Sequence, residues 1–144
     1  SDAKTLVRAE AIDFLSKNYI SEDLNSLYQS KLNDYSYAVM GSALMAMAKS
    51  NPDATLKLAK QYETEKANSI RYALMDLYSK HGSDENNIYF NSIKDEFSGF
   101  ERFGFMNLYG TFLKRCTDEN VISGAEYFKE TAKNESNPYV KTVA

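Results

Sequence analysis

The sequence predicts an all-α fold in which antiparallel helix pairs stack as a short α-solenoid of about eight or nine helices. Three observations support this prediction. Apolar residues recur at helical spacing along almost the whole chain, and no segment alternates strictly enough to be a β-strand. Only two prolines occur among 144 residues. Short blocks of sequence also recur. Asp84-Glu85-Asn86 recurs as Asp118-Glu119-Asn120, and this separation in sequence is typical of repeats built from paired helices.

Each helix is placed from the phase of its apolar residues and from signals at its ends. Both prolines follow asparagine, so Asn51 and Asn137 are expected to cap helices that begin at proline. Gly82 is expected to end one helix. The expected helices cover 3–18, 22–33, 36–49, 53–64, 69–81, 85–96, 100–115 and 118–133, with a last one that begins near Pro138.

The buried face of each helix is predicted from apolar residues three and four positions apart. The six stripes expected to form the core are Val7, Ala11, Phe14 and Leu15; Leu24, Leu27, Tyr28 and Leu32; Met40, Ala43, Leu44, Met47 and Ala48; Ile70, Ala73, Leu74, Leu77 and Tyr78; Phe105, Leu108, Tyr109, Phe112 and Leu113; and Val121, Ala125, Phe128 and Ala132.

The aromatic segment 97–112 contains residues that the stripe beginning at Phe105 leaves unexplained. Gly104 and Gly110 lie inside a helix, where glycine costs roughly 1 kcal/mol relative to alanine. We therefore expect both, and Gly41 likewise, to mark close contacts between helices. Phe100 and Phe103 lie off the apolar stripe, so any exposed contact surface is expected there first.

A lysine followed four residues later by an aspartate recurs where one helix ends and the next begins. The pairs are Lys49 and Asp53, Lys80 and Asp84, and Lys114 and Asp118. This placement of charge suits the helix dipole.

We expect one helical-repeat domain over 1–144, a fragment of a longer chain, with units at roughly 1–35, 36–65, 66–97, 98–135 and a partial 136–144. The tetratricopeptide signature is absent because the chain has no Trp and its proline lies between paired helices. A shortened HEAT-like repeat is the better interpretation.

Composition argues against several classes of partner. The net charge is -3 and the calculated pI about 5.2, whereas a protein that binds nucleic-acid phosphates normally has a basic stripe. The longest weakly charged run, 34–49, is too short to span a bilayer as a helix. We therefore expect neither a nucleic-acid partner nor a membrane. The single cysteine excludes an internal disulfide and leaves the compartment open.

The chain offers little for chemistry. His81 is the only histidine, which excludes the paired-histidine zinc motif. A dyad of Cys116 with His81 is conceivable, but a buried thiol and a solvated imidazole explain both residues. The acidic pairs Asp84/Glu85 and Asp118/Glu119 do not match a calcium-binding loop and are interpreted as helix-start residues. No catalytic, cofactor-binding or metal-binding residue is predicted.

Four blocks of sequence carry a family resemblance that extends over nearly the whole chain. They are DYSYAVMGSALMAMAKSNPDATLKLAKQYE, KHGSDENNIYF, FSGFERFGFMNLYGTFLKRC and NPYVKTVA. Together they resemble the C-terminal HEAT-like helical region of bacterial zinc aminopeptidases of the aminopeptidase N family.

The resemblance implies a non-catalytic domain that packs against the catalytic domain of the same chain and shapes access to its substrate cavity. In that family zinc is held upstream by H-E-x-x-H, and substrate by G-x-M-E-N. Neither motif occurs here, so zinc is expected only in the parent catalytic domain. The alternative is a stand-alone HEAT-like scaffold that binds a peptide or protein. An enzyme within these residues is a third possibility.

Overall fold

The regular structure of this chain is helical. A computed structural model describes residues 3–19, 21–136 and 138–143, and these residues contain helices and turns without a β-strand. The all-α class is therefore confirmed for this part of the chain. The α-helices are α1 (Ala3–Asn18), α2 (Glu22–Lys31), α3 (Tyr37–Ser50), α4 (Pro52–Ala59), α5 (Asn68–His81), α6 (Asn87–Ile93), α7 (Gly99–Leu113), α8 (Asp118–Asn134) and α9 (Pro138–Val143).

Two predicted helices are shorter than expected because 3₁₀ turns form their ends. A 3₁₀ turn over Lys60–Tyr62 follows α4, and the predicted helix 85–96 is α6 flanked by 3₁₀ turns at Asp84–Asn86 and Lys94–Glu96. At the first of these flanking turns the Ser83 N–H donates to the Asn86 side chain at 3.0 Å. This capping box satisfies the tight first turn locally.

Most end signals act as predicted. The Asn51 side chain accepts from the Ala54 N–H at 3.1 Å and caps the helix that begins at Pro52. Pro138 begins α9, and its predicted cap, Asn137, lies outside the described residues. The Gly82 N–H donates to the carbonyl of Tyr78 at 2.9 Å, directly after α5 ends.

The chain divides into two compact units, residues 1–77 and residues 78–144. The predicted single domain and its repeat boundaries stay predictions. In the first unit α1 and α2 pack against α3. Helix α3 buries its predicted stripe apart from Met40, which is half-buried. Further buried residues of α3 are Val39, Gly41 and Ala46.

The stripe predicted for α1 is wrong. Helix α1 buries Thr5, Ala9 and Ile12, whereas Val7 is 67% and Phe14 is 58% exposed. Two faces of this helix carry apolar residues, so periodicity could not choose between them. The face that carries Thr5, Ala9 and Ile12 is the one that is buried.

The mid-helix glycines behave differently from one another. A Cβ on Gly41 would lie 2.7 Å from the carbonyl oxygen of Ser69, which confirms a close contact between α3 and the start of α5. A Cβ on Gly110 would lie 3.6 Å from the nearest atom of Phe128, an ordinary contact, so the close packing predicted there is wrong. The tight position on α8 is Gly124, which faces Leu113.

An aromatic cluster forms the core of the second unit. The Phe90 ring lies 4.7 Å from Phe112 and 5.1 Å from Tyr109, and Phe97 lies 5.2 Å from Phe105. All five side chains are fully buried. The stripe predicted for α7 is therefore confirmed, except that one member, Leu108, is only half-buried.

Candidate functional site

A relay of hydrogen bonds runs from the buried core of the second unit to its surface. The Tyr109 hydroxyl donates to Asn87 Oδ1 at 2.9 Å, and Asn87 Nδ2 donates to Asn120 Oδ1 at 2.7 Å. Asn120 Nδ2 then donates to Asp84 Oδ1 at 2.8 Å. Burial raises the pKa of Tyr109 to about 12, which keeps its hydroxyl protonated as the first donor. The relay joins α6, α7 and α8, and each of its hydrogen bonds is donated toward the surface.

The carboxylate that ends this relay caps a helix distant in sequence. Asp84 Oδ1 accepts from the backbone N–H of Thr117 at 2.9 Å, at the N-terminus of α8. The Asn120 amide and the Thr117 N–H both hold the pKa of Asp84 below its usual value. Sequence reasoning assigned Asp84 to the start of its own helix. That placement is correct, but its side chain serves α8, 33 residues later.

Acid should weaken this contact. The pKa of Asp84 is lower in the folded state than in the unfolded state. The stabilisation by its carboxylate is therefore complete above the unfolded pKa of about 3.9 and is lost as the pH falls through the folded pKa. We expect Asp84→Asn to reduce the difference in urea midpoint between pH 6 and pH 3. Glu130→Gln is the matched control, because Glu130 is exposed in the second half of α8, away from the helix N-terminus, and should change that difference less. Equal changes in both variants would contradict this role for Asp84.

The sole cysteine is held as a thiol. Cys116 is half-buried and its Sγ donates to the carbonyl of Phe112 at 3.5 Å. Burial, followed by the hydrogen bond and the charge of Asp84, raises the pKa of Cys116 to about 11. A Cys–His dyad requires a lowered thiol pKa, and His81 is exposed. The raised pKa of the Cys116 thiol is therefore the opposite of what a Cys–His dyad needs.

Alkylation of Cys116 should follow this raised pKa. Since only the thiolate reacts, the rate with iodoacetamide at pH 7.5 should be about 300-fold below that of a free cysteine, whose pKa is about 8.5. In a pH series the rate should still rise above pH 9.5, where unhindered thiols level off. A rate that levels off near pH 8.5 would show that the burial and the hydrogen bonding described for Cys116 are wrong.

An open groove lies between α7 and α8. Its volume is about 400 Å³, its walls include Gly110, Val121, Ala125 and Phe128, and Asp118 lies at its edge. Val121 and Ala125 belong to the stripe predicted as core on α8, yet Val121 is 37% exposed and Ala125 is also exposed. The prediction of a buried stripe is therefore wrong at these two residues.

A second cleft, of about 590 Å³, lies between the end of α6 and α8. Its walls alternate in charge, with Lys94 and Lys133 beside Asp95 and Glu126. The Lys94 ammonium lies 5.3 Å from the centre of the Tyr127 ring. Charges of both signs partly cancel at such a surface, so it favours neither an anion nor a cation.

The start of α7 carries the exposed aromatic residue that the sequence predicted. Phe100 is 78% exposed, and its ring stacks on that of Phe103, 5.7 Å away. Phe103 is half-buried, so the pair forms a small apolar projection on an otherwise polar turn.

Within residues 3–19, 21–136 and 138–143 there is no group of three or more His, Cys, Asp or Glu side chains that could hold a metal ion. None of the helices described there is long and apolar enough to cross a bilayer. No protein-family model, curated protein or solved structure matches this chain. Two apolar surfaces described above, the α7–α8 groove and the Phe100–Phe103 pair, are the candidate binding surfaces.

Proposed function

We propose that this chain is a non-catalytic HEAT-like α-solenoid from the C-terminal region of a zinc aminopeptidase. In this proposal it packs against the catalytic domain of the same protein and shapes access to the substrate cavity. Zinc belongs to that catalytic domain, and the described residues contribute no ligand to it. The proposal combines the family resemblance of the sequence with two features of the structure.

Contacts between residues about one repeat apart support the solenoid. Thr117 and Asp84 are 33 residues apart, as are Tyr127 and Lys94. In the first unit the Ser69 hydroxyl donates to the carbonyl of Tyr37, 32 residues away. Helix pairs that stack with a repeat of this length bring together residues at this separation.

Exposed apolar helix faces are the observation that carries the functional proposal. Val7 and Phe14 on α1, and Val121 and Ala125 on α8, lie open to solvent. Repeat proteins that end in solvent normally present a polar outer face on their terminal repeats. We infer that other parts of the same protein cover these faces.

Activity of the complete protein tests this proposal. The complete protein should hydrolyse an aminoacyl 4-nitroanilide and lose that activity with 1,10-phenanthroline, whereas residues 1–144 alone should show none. Removal of residues 1–144 should raise kcat/KM for a ten-residue peptide more than for a dipeptide, because access to the cavity widens. A complete protein without H-E-x-x-H and without this activity would contradict the proposal.

The Phe100–Phe103 pair favours one alternative, a stand-alone scaffold that binds a peptide or protein. Aromatic side chains, Phe among them, are enriched at protein interfaces, and Phe100 of this pair is 78% exposed. If the complete protein lacks peptidase activity, and Phe100→Ser abolishes binding to a purified partner without changing the melting temperature, the scaffold is the better description.

A further inference from the structure

Helix α9 packs against α7 and α8. The α7–α8 groove is an open part of the same helix pair, and it corresponds in sequence to the surface on which α7 and α8 are held. We propose that this groove is a docking site for the N-terminal end of an amphipathic helix that belongs to a further helix pair of the same repeat type. The inference rests on the helical-repeat part of the proposed function and does not depend on peptidase activity.

The covered surface is formed by the end of α5 and by α6 with its flanking turns. Three groups on it accept hydrogen bonds from the α7–α8 segment: the carbonyls of Lys80 and Lys94, and the carboxylate of Asp84. These contacts fix the end of α7 and both the first turn and the middle of α8. Arg115 donates to the carbonyl of Lys80, Tyr127 donates to the carbonyl of Lys94, and Thr117 donates to the carboxylate of Asp84.

The groove repeats this surface one interval later along the chain. Lys114, Asp118 and Phe128 line the groove. Each lies the same number of residues after its counterpart on the covered surface, and these counterparts are, in the same order, Lys80, Asp84 and Lys94. The correspondence extends to three further wall residues. At that same separation Val121 and Ala125 follow Asn87 and Asn91, and Cys116 follows Gly82. The residues of the groove therefore occupy the same sequence positions, one repeat later, as those of an interface that already holds a helix pair.

The charge at the edge of the groove indicates which end of a helix it accepts. Asp84 accepts the backbone N–H of Thr117, the N-cap residue of α8, and the side-chain amide of Asn120 in the first turn of that helix. Asp118 is its counterpart, and its carboxylate is exposed at the groove. A carboxylate is stabilised by the free N–H groups and the positive dipole end of a helix N-terminus.

The walls indicate what kind of side chains the docked helix presents. Where the covered surface has the polar side chains of Asn87 and Asn91, the groove has Val121 and Ala125. On the covered surface, Asn87 is matched by Tyr109 and Asn120. An apolar wall excludes such polar partners, because buried polar groups must be hydrogen-bonded. The docked helix therefore has an apolar face and a polar first turn.

A tandem duplication tests this proposal in an intact chain. Residues 102–135 are inserted once more after Glu135, and the added copy carries Cys116→Ser together with Tyr109→Phe and Asn120→Leu, so that it presents an apolar face to the groove. The added α7–α8 unit then lies next to the groove at high effective concentration. Because Cys116 lines the groove, its alkylation by iodoacetamide should become about tenfold slower than in the original chain.

A matched pair of variants separates docking from a general gain in stability. In the duplicated chain, Asp118→Asn should restore most of the original alkylation rate. Glu119→Gln, in the same helical turn but outside the groove walls, should not. An unchanged rate on duplication, or equal effects of the two substitutions, would overturn the proposal.

Two further measurements keep the result decisive. If the duplicated chain does not fold, a synthetic peptide of residues 111–134 that carries Cys116→Ser and Asn120→Leu, added in trans, should protect Cys116 in the original chain, and failure to protect it would overturn the proposal. If Cys116 becomes protected merely as the concentration of the original chain rises, the occupant is a second copy, which also overturns it. Neither result bears on the peptidase assay, so the two proposals fail separately.

Discussion

Phe112→Asp is expected to unfold the second compact unit. Phe112 is fully buried, and its ring lies 4.7 Å from that of Phe90 within the aromatic core. The substitution removes a large apolar side chain and places a carboxylate in that core. We expect a loss of about 4 kcal/mol or more in the free energy of unfolding, a large part of a small unit's total stability. Circular dichroism at 222 nm during urea titration measures this loss.

Two other aspartate substitutions on α7 provide graded controls. Leu108 is only half-buried, so Leu108→Asp should lower the urea midpoint less than Phe112→Asp while the helical signal is retained. Phe100→Asp should change it little, because Phe100 is 78% exposed. If the three variants show similar midpoints, the burial pattern of α7 described above is incorrect.

Gly41→Ala is expected to destabilise the first unit by about 1–3 kcal/mol, the usual cost of overpacking. The added methyl group would lie 2.7 Å from the backbone carbonyl oxygen of Ser69. Backbone cannot rotate away as a flexible side chain can, so α3 and the start of α5 must separate. That movement would also strain the hydrogen bond from the Ser69 hydroxyl to the carbonyl of Tyr37. The melting temperature and the urea midpoint should both fall.

Gly110→Ala is the matched control, because it makes the same chemical change inside a helix. Its methyl group would make an ordinary contact of 3.6 Å with Phe128. The variant should therefore gain helix propensity and become more stable by about 0.5–1 kcal/mol. The decisive result is the opposite sign of the two changes, and destabilisation by both would contradict the packing described for Gly110.

The glycines also show where interpretation of the sequence reached its limit. Gly41 and Gly110 both interrupt apolar helices, and the sequence treats them alike. One of them contacts the backbone of another helix, and the other makes only an ordinary contact with Phe128. Spacing within a helix carries no information about the distance to a neighbouring helix, so the two could not be distinguished.

The candidate site was predictable only in part. Phe100 was identified as exposed because it lies off the apolar stripe, and it is exposed. The role of Asp84 at α8 was missed, because a helix-start aspartate is explained adequately by its own helix. The recurrence of this aspartate one interval later, at Asp118, was the available signal, since a repeat places equivalent residues next to the following unit.

Local pattern accounts for the helical class of this protein and for most helix ends, because these depend on side chains within a few positions of one another. Packing in three dimensions selected the buried face of α1, the tight position at Gly41 and the exposure of Val121. Each of these depends on which surface a distant part of the chain covers. An apolar helix face looks the same in sequence whether its neighbour is present or absent.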